Sequence, residues 1–178
     1  MEVINQKLKK IWQNIEQQYL RKYPESNLNE RFLPPATTER ISYLERTLGM
    51  PLPIEYRCSL DIHEGTKTYV WLWDAVTILD IDFLIDYWKV NMEEASDPNN
   101  HGATLVSEGL VFGHMFNPRW IPVASDNGVP ICLDLNPAPG GTAGQVIYVD
   151  WEDNTVRVIA KSFVEFLEDG LKKMELDA

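Results

Sequence analysis

The stretch WIPVASDNGVPICLDLNPAPGGTAGQVIYVDWEDNTVRVIA, residues 120–160, decides the fold. It breaks into four apolar runs. The first is residues 120–124 and the second holds Ile131, Cys132, Leu133 and Leu135. The third is residues 146–149, and the fourth holds Val156, Val158 and Ile159. β-Branched and aromatic residues recur in these runs, and such side chains suit a pleated, half-buried surface. The separators carry turn chemistry. Asp126-Asn127-Gly128 offers residues that tolerate positive φ, residues 136–144 are rich in proline and glycine, and Glu152-Asp153-Asn154 turns the chain again. Four strands with three such connections read as an antiparallel meander.

Helical signals surround the meander. After it, Ser162 with Glu165 forms a capping box, and Phe163, Phe166, Leu167, Leu171 and Met174 mark the inward face of a last helix. At the start, Ile4, Leu8, Ile11, Trp12, Ile15 and Tyr19 make a helical stripe over residues 3–20, and Pro24 ends it. Thr37 is placed to cap a second helix bearing Ile41, Leu44 and Leu48, with Gly49 as its left-handed stop. Pro53 suits the first position of a short helix running to about Ile62, with Gly65 as its terminal glycine. Strand formers follow at Tyr69, Val70, Trp71, Leu72 and Trp73, which puts Trp71 and Trp73 on one face, and again at Val76, Thr77 and Ile78. Asp80 can cap a further helix with Ile81, Leu84, Ile85, Trp88 and Met92 inward. Residues 96–118 lack a sustained period and are expected to be a mobile loop, with a short strand at Leu110, Val111 and Phe112. The order predicts an α+β fold: N-terminal helices and a C-terminal helix packed on an antiparallel or mixed β-sheet. A single domain spanning 1–178 is expected, with 1–36 a helical extension and the core at about 37–170.

Bulk composition excludes several function classes. The 178 residues hold 16 Lys+Arg and 27 Asp+Glu, a formal net charge of −11. Such a chain repels phosphate, so direct nucleic-acid binding and anionic lipid surfaces are disfavoured. No run approaches the ~18 apolar residues of a membrane span, and the N-terminal residues show no apolar signal core. A cytoplasmic location is therefore expected. Cys58 and Cys132 lie in separate apolar segments and read as small buried hydrophobes. The acids are unevenly spread. From Asp126 to Asp169 there are eight, Asp126, Asp134, Asp150, Glu152, Asp153, Glu165, Glu168 and Asp169, against Arg157 and Lys161.

Catalytic and metal motifs are weak. The run Pro139-Gly140-Gly141-Thr142-Ala143-Gly144 has no following lysine and leads into a strand, so it reads as a loop rather than a phosphate cradle. His63, His101 and His114 share no ligand spacing, and no Cys-x-x-Cys or Gly-x-Ser-x-Gly occurs. No cofactor or metal is expected. Asp126, Asp134 and Asp150 fall at strand ends where a sheet could converge them on one rim. A converged pair could do acid–base work, against the plainer reading of a solvated rim and turn chemistry. Six tryptophans are present. Trp151, set among Asp150, Glu152 and Asp153, is the candidate exposed anchor.

The ordered motifs resemble the Smi/Knr (SUKH) superfamily. They begin with Ile41, Leu44, Glu45, Leu48, Gly49, Leu52 and Pro53, continue through His63-Glu64-Gly65, and include residues 120–128 and Ile131-Cys132-Leu133-Asp134. Residues 136–146 and the closing Val158-Ile159-Ala160 with Ser162-Phe163, Glu165-Phe166-Leu167 complete the set, which covers roughly residues 37–170. The pattern departs at Val129-Pro130. The resemblance implies an α+β domain with no catalytic residues to carry over. It implies two kinds of role: bacterial immunity proteins that neutralise a cognate toxin, and fungal regulators of cell-wall glucan synthesis with long extensions. Without such extensions here, the first expectation is a non-enzymatic immunity protein binding a basic toxin domain, a nuclease among the candidates. The alternatives are a regulatory scaffold of the glucan-synthesis type and an enzyme using the strand-end carboxylates. The expected partner-binding residues are Glu64, Asp126, Asp134, Asp150, Trp151 and Glu152, chosen for charge and turn position.

Overall fold

The computed structural model describes residues 2–67, 70–100 and 102–176; the strand former Tyr69 and the histidine His101 lie outside the described residues. The meander is present as β3 (Trp120–Asp126), β4 (Val129–Asp134), β5 (Gln145–Asp150) and β6 (Thr155–Ala160), each antiparallel to the next. Two short strands extend it. β1 (Val76–Ile78) runs antiparallel to β3, and β2 (Val106–Ser107) runs parallel to β6. The sheet is therefore mixed, in the order β1-β3-β4-β5-β6-β2.

Local chemistry sets the register. Asn127 and Gly128 both have positive φ, 47° and 94°, and join β3 to β4 in a two-residue loop with Asp126 opposite Val129. Paired positive φ matches the twist of the flanking strands, and the departure at Val129-Pro130 leaves the turn intact. Pro122 has no N–H for the ladder, and the register shifts between Pro122 and Ala124. A bulge is where an interior strand tolerates that loss.

Helices α1 (Glu2–Lys22), α2 (Thr38–Leu48), α3 (Ile54–Leu60), α4 (Ile81–Ser96) and α5 (Phe163–Leu176) supply the rest. The Thr37 and Asp80 side chains accept the backbone N–H of Arg40 and Phe83, as caps should. Gly49 ends α2 in the left-handed conformation. The α5 start is closed from two sides: Ser162 accepts from the Glu165 N–H, and Glu55 of α3 accepts from the Val164 N–H at 2.9 Å.

One face of the sheet, with Ile121, Ile131, Leu133 and Val146, joins the main core, which also holds Leu8, Trp12 and Ile15 of α1 and Phe163 and Leu167 of α5. The N-terminal extension thus shares the core of the rest of the chain, and the Trp12 indole donates to Ser59 Oγ of α3 at 2.8 Å. The other face, with Trp120, Cys132, Ile147, Val149 and Val156, forms a smaller cluster with Leu105 and Val111.

Three local expectations are corrected. Trp71, Leu72 and Trp73 form no strand: the chain bends there, and Asp74 takes a positive φ of 50°. Trp71 is exposed and Trp73 buried, so they do not share a face. The expected strand at Leu110–Phe112 is absent. In the stretch 96–118, expected to be a mobile loop, Ser96 ends α4, Leu105 and Val111 cover the second face, and the chain pairs through β2 and a bridge between Thr104 and His114. Finally, α3 stops at Leu60, and Gly65 has another role. A Cβ there would lie 2.7 Å from the Leu79 carbonyl oxygen, so glycine permits a close backbone approach beside β1.

Candidate functional site

Strand direction sorts the strand-end acids. β3 and β5 run toward one end of the sheet, so Asp126 and Asp150 reach the same rim. β4 runs the other way and delivers Asp134 to the opposite end, paired with Trp120 and Gln145. Five residue steps separate Val129 from Asp134, about 17 Å at strand rise. The three carboxylates therefore do not converge on one reacting centre.

Asp134 is a correction in a second respect, because it is fully buried. Its carboxylate accepts from the Asn136 backbone N–H at 2.9 Å and from Gln145 Nε2 at 3.0 Å. Gln145 also donates to the Leu110 carbonyl and accepts from the Thr142 N–H. The glycine-rich loop is thus stitched to the sheet by a buried polar pair, and Asp134 cannot meet a partner. Burial raises the Asp134 carboxyl above its ordinary 3.8, and the Asn136 and Gln145 hydrogen bonds only partly oppose this. A carboxyl raised in the folded state binds its proton more tightly there than in the unfolded chain. Its contribution to stability falls as pH rises from 3.8 through the folded value and is flat above it. The difference in stability between Asp134→Asn and the parent is therefore expected to shift in favour of the variant across that window and then level off. Urea titrations at a series of pH values measure this, and a difference independent of pH would refute it.

Glu64 is also removed from the surface. Arg40 of α2 grips it with two hydrogen bonds, Nε to Oε2 at 2.7 Å and Nη2 to Oε1 at 2.6 Å, and reaches Asp82 of α4 at 3.1 Å. Its hydrogen bond to Glu64 is the main reason the Arg40 guanidinium holds its proton more tightly than usual. This ion triad ties α2, the segment after α3 and the first turn of α4 together. Within it Glu64 serves as a structural tie, while the Asp82 side chain stays 70% exposed.

Trp151 is half-buried rather than an open anchor. It stacks on Phe116, centroids 5.4 Å apart and planes at 27°, and packs on the second core cluster. Asp150 Oδ1 accepts the backbone N–H groups of Glu152 and Asp153 at 3.1 and 3.0 Å, which shapes the turn. Glu152 and Asp153 are exposed. With Asp74 just before β1, the rim carries Asp74, Asp126, Asp150, Glu152 and Asp153. Asp74 is paired to Lys173 at 2.6 Å, and Arg157 lies over the Tyr148 ring. Asp74, Asn127 and Asn154, the non-glycine residues of positive φ among those described, all sit in turns at this rim. Both cysteines are buried, and burial raises their thiols, which disfavours the reactive thiolate.

The site that charge and turn position miss lies at the β1 corner of this rim. Trp71 and Phe83, 50% and 51% exposed, wall a groove of about 210 Å³. Its floor is Thr77, Ser125 and Ala75, and the Asn127-Gly128 turn closes one end. The floor hydroxyls have partners: Thr77 Oγ1 donates to the Val70 carbonyl, and Ser125 Oγ accepts from the Gly128 N–H. Asn127 N–H donates to the Ala75 carbonyl, so the turn is held to β1. Asp80 is the one charged lining residue among those described, and its side chain accepts the Phe83 N–H. Such a groove can hold an apolar group, and among the described residues its lining has no histidine, no cysteine and no second carboxylate. A sequence signal for it exists in hindsight. Phe83 stands outside the Ile81, Leu84, Ile85 stripe of α4, an aromatic residue on the helix's polar side between Asp82 and Asp86.

The SMI1 / KNR4 family (SUKH-1) profile matches residues 35–169. The KNR4/SMI1 homolog of Yarrowia lipolytica is 28% identical over 88% of this chain and 29% of its own length. The cell wall biosynthesis/cell cycle regulator smi1 of Schizosaccharomyces pombe is 32% identical over 74% of the chain and 29% of its own length. The glucan synthesis regulatory protein of Neurospora crassa is 25% identical over 88% of the chain and 36% of its own length. The chain thus spans about a third of these relatives. All three are fungal, and two carry the name of a regulator of cell-wall or glucan synthesis. The expectation of a bacterial immunity protein accordingly gives way to its alternative.

Proposed function

We propose, from the premise that this chain belongs to the SMI1 / KNR4 family (SUKH-1), that it is a non-enzymatic protein-binding domain of the cell-wall and glucan-synthesis regulator type. The names of the Schizosaccharomyces pombe and Neurospora crassa relatives, regulators of cell-wall and glucan synthesis, carry the reading. The geometry is compatible with it: the strand-end acids are split between two ends of the sheet, and the rim offers an acidic surface with an aromatic groove. Binding proteins rather than transforming small molecules is what such a surface does.

Chemical crosslinking of the tagged chain in its native cells, followed by mass spectrometry, tests this. Recovery of components of wall or glucan synthesis, competed by excess untagged protein, is the expected result. Specific recovery of a secreted toxin domain instead, bound tightly enough to block its toxicity, would overturn it.

A further inference from the structure

We infer that the groove between Trp71 and Phe83 is the docking site for a short segment of a partner protein that inserts one apolar side chain and carries lysine or arginine on both sides of it. This deepens the protein-binding reading above and rests on it. Three observations lead to the occupant. First, two large half-exposed aromatic side chains line a groove in which the Thr77 and Ser125 hydroxyls each already hold a hydrogen bond within the chain. A floor with few free hydrogen-bonding groups favours an apolar guest over a polar one. Second, the groove is of a size for a single side chain, at about 210 Å³, and its end is set by the Asn127-Gly128 turn rather than by a long loop. A two-residue turn held by the Asn127 N–H to the Ala75 carbonyl leaves little to order on that side. Third, the surroundings are acidic. Asp80 lines the groove, Asp82 and Asp86 flank Phe83 on α4, and Asp126 precedes the turn, while no lysine or arginine among the described residues lines it. Arg40, the cation that reaches Asp82, is held by Glu64. An apolar anchor between basic residues complements that pattern, and acidic flanks would be repelled.

The probe is a labelled peptide with a central leucine between lysines, compared with one having glutamates for the lysines and one having alanine for the leucine. Fluorescence anisotropy with the full chain is expected to show saturable binding of the first alone. Trp71→Ala and Phe83→Ala should each weaken it about tenfold or more, as anchor contacts do. Added salt should weaken it as well. Unchanged melting temperatures of the two variants confirm that the fold is intact, as their exposure implies. Equal binding by both variants, equal binding of the glutamate peptide, or self-association of the chain that the variants abolish would each overturn the inference. The crosslinking experiment separates the two readings. Wall-synthesis partners captured equally by Trp71→Ala reject the groove and leave the function, whereas peptide binding with no such partners rejects the function and leaves the groove.

Discussion

Gly170→Val is expected to destabilise the protein by about 3 kcal/mol or more, and Gly170→Ala by about 1–2 kcal/mol. The expectation runs against helix propensity. Gly170 lies inside α5, where alanine should gain about 1 kcal/mol. A Cβ built there, however, falls closer than 3.0 Å to three carbons of the Trp73 indole. That ring is buried and packs edge-on against Phe166 at 5.4 Å, so its withdrawal costs packing. Overpacking of a close-fitted core costs roughly 1–3 kcal/mol per added group, which outweighs the propensity gain. Thermal melts give the measurement, at roughly 2–4 °C per kcal/mol for a chain of this size. A double variant supplies the control. Trp73→Phe shrinks the ring, so Gly170→Ala should cost less in that background, by about 1 kcal/mol. A rise in melting temperature for Gly170→Ala alone would show that the helix, not the indole, governs the position.

The second large effect is expected at Arg40. Arg40→Met should cost about 2 kcal/mol, while Asp82→Asn should cost below about 0.5 kcal/mol. Both acids bond the same guanidinium, but they differ in exposure. The Glu64 side chain is 11% exposed and that of Asp82 is 70% exposed. Losing Arg40 leaves Glu64 as a charge that water reaches poorly, whereas Asp82 is simply resolvated. A fully buried pair would cost about 3–5 kcal/mol on removal of one partner, and the partial exposure of Arg40 lowers that figure. Combining Arg40→Met with Glu64→Leu should restore much of the loss, since no unpaired charge then remains. Urea denaturation of the single and double variants decides it. A double variant as unstable as the sum of its parts would mean that Arg40 and Glu64 are not coupled, and that neither the pair nor the stranded carboxylate carries the energy.

Some features of this molecule are local, and those were legible in the sequence. Asn127-Gly128 dictates a two-residue hairpin because its backbone preference is its own, whatever packs nearby. Thr37, Asp80 and Ser162 act on amides within four residues of themselves, so their caps follow from spacing alone. The stripes of α1, α4 and α5 and the meander rest on periodicity, which records which face must be buried without saying against what. With those settled, the α+β arrangement followed, and the ordered motifs identified the family.

The tertiary structure alone decided where charge and aromatic surface end up. An acid at a strand end looks the same in sequence whether the strand runs toward one rim or the other. The alternation of antiparallel strands sent Asp126 and Asp150 to one end of the sheet and Asp134 to the other. Glu64 and Trp151 looked like surface residues because their sequence neighbours are polar. They are covered by groups distant in the chain, Arg40 twenty-four residues away for Glu64 and Phe116 for Trp151. Conversely, Trp71 stays open where a left-handed turn at Asp74 replaces the expected strand, and Phe83 because, among the described residues, no element covers that side of α4. Burial is a property of what comes to lie against a side chain. A chain's own periodicity specifies the face to be covered, and only the packing of all its elements specifies the cover.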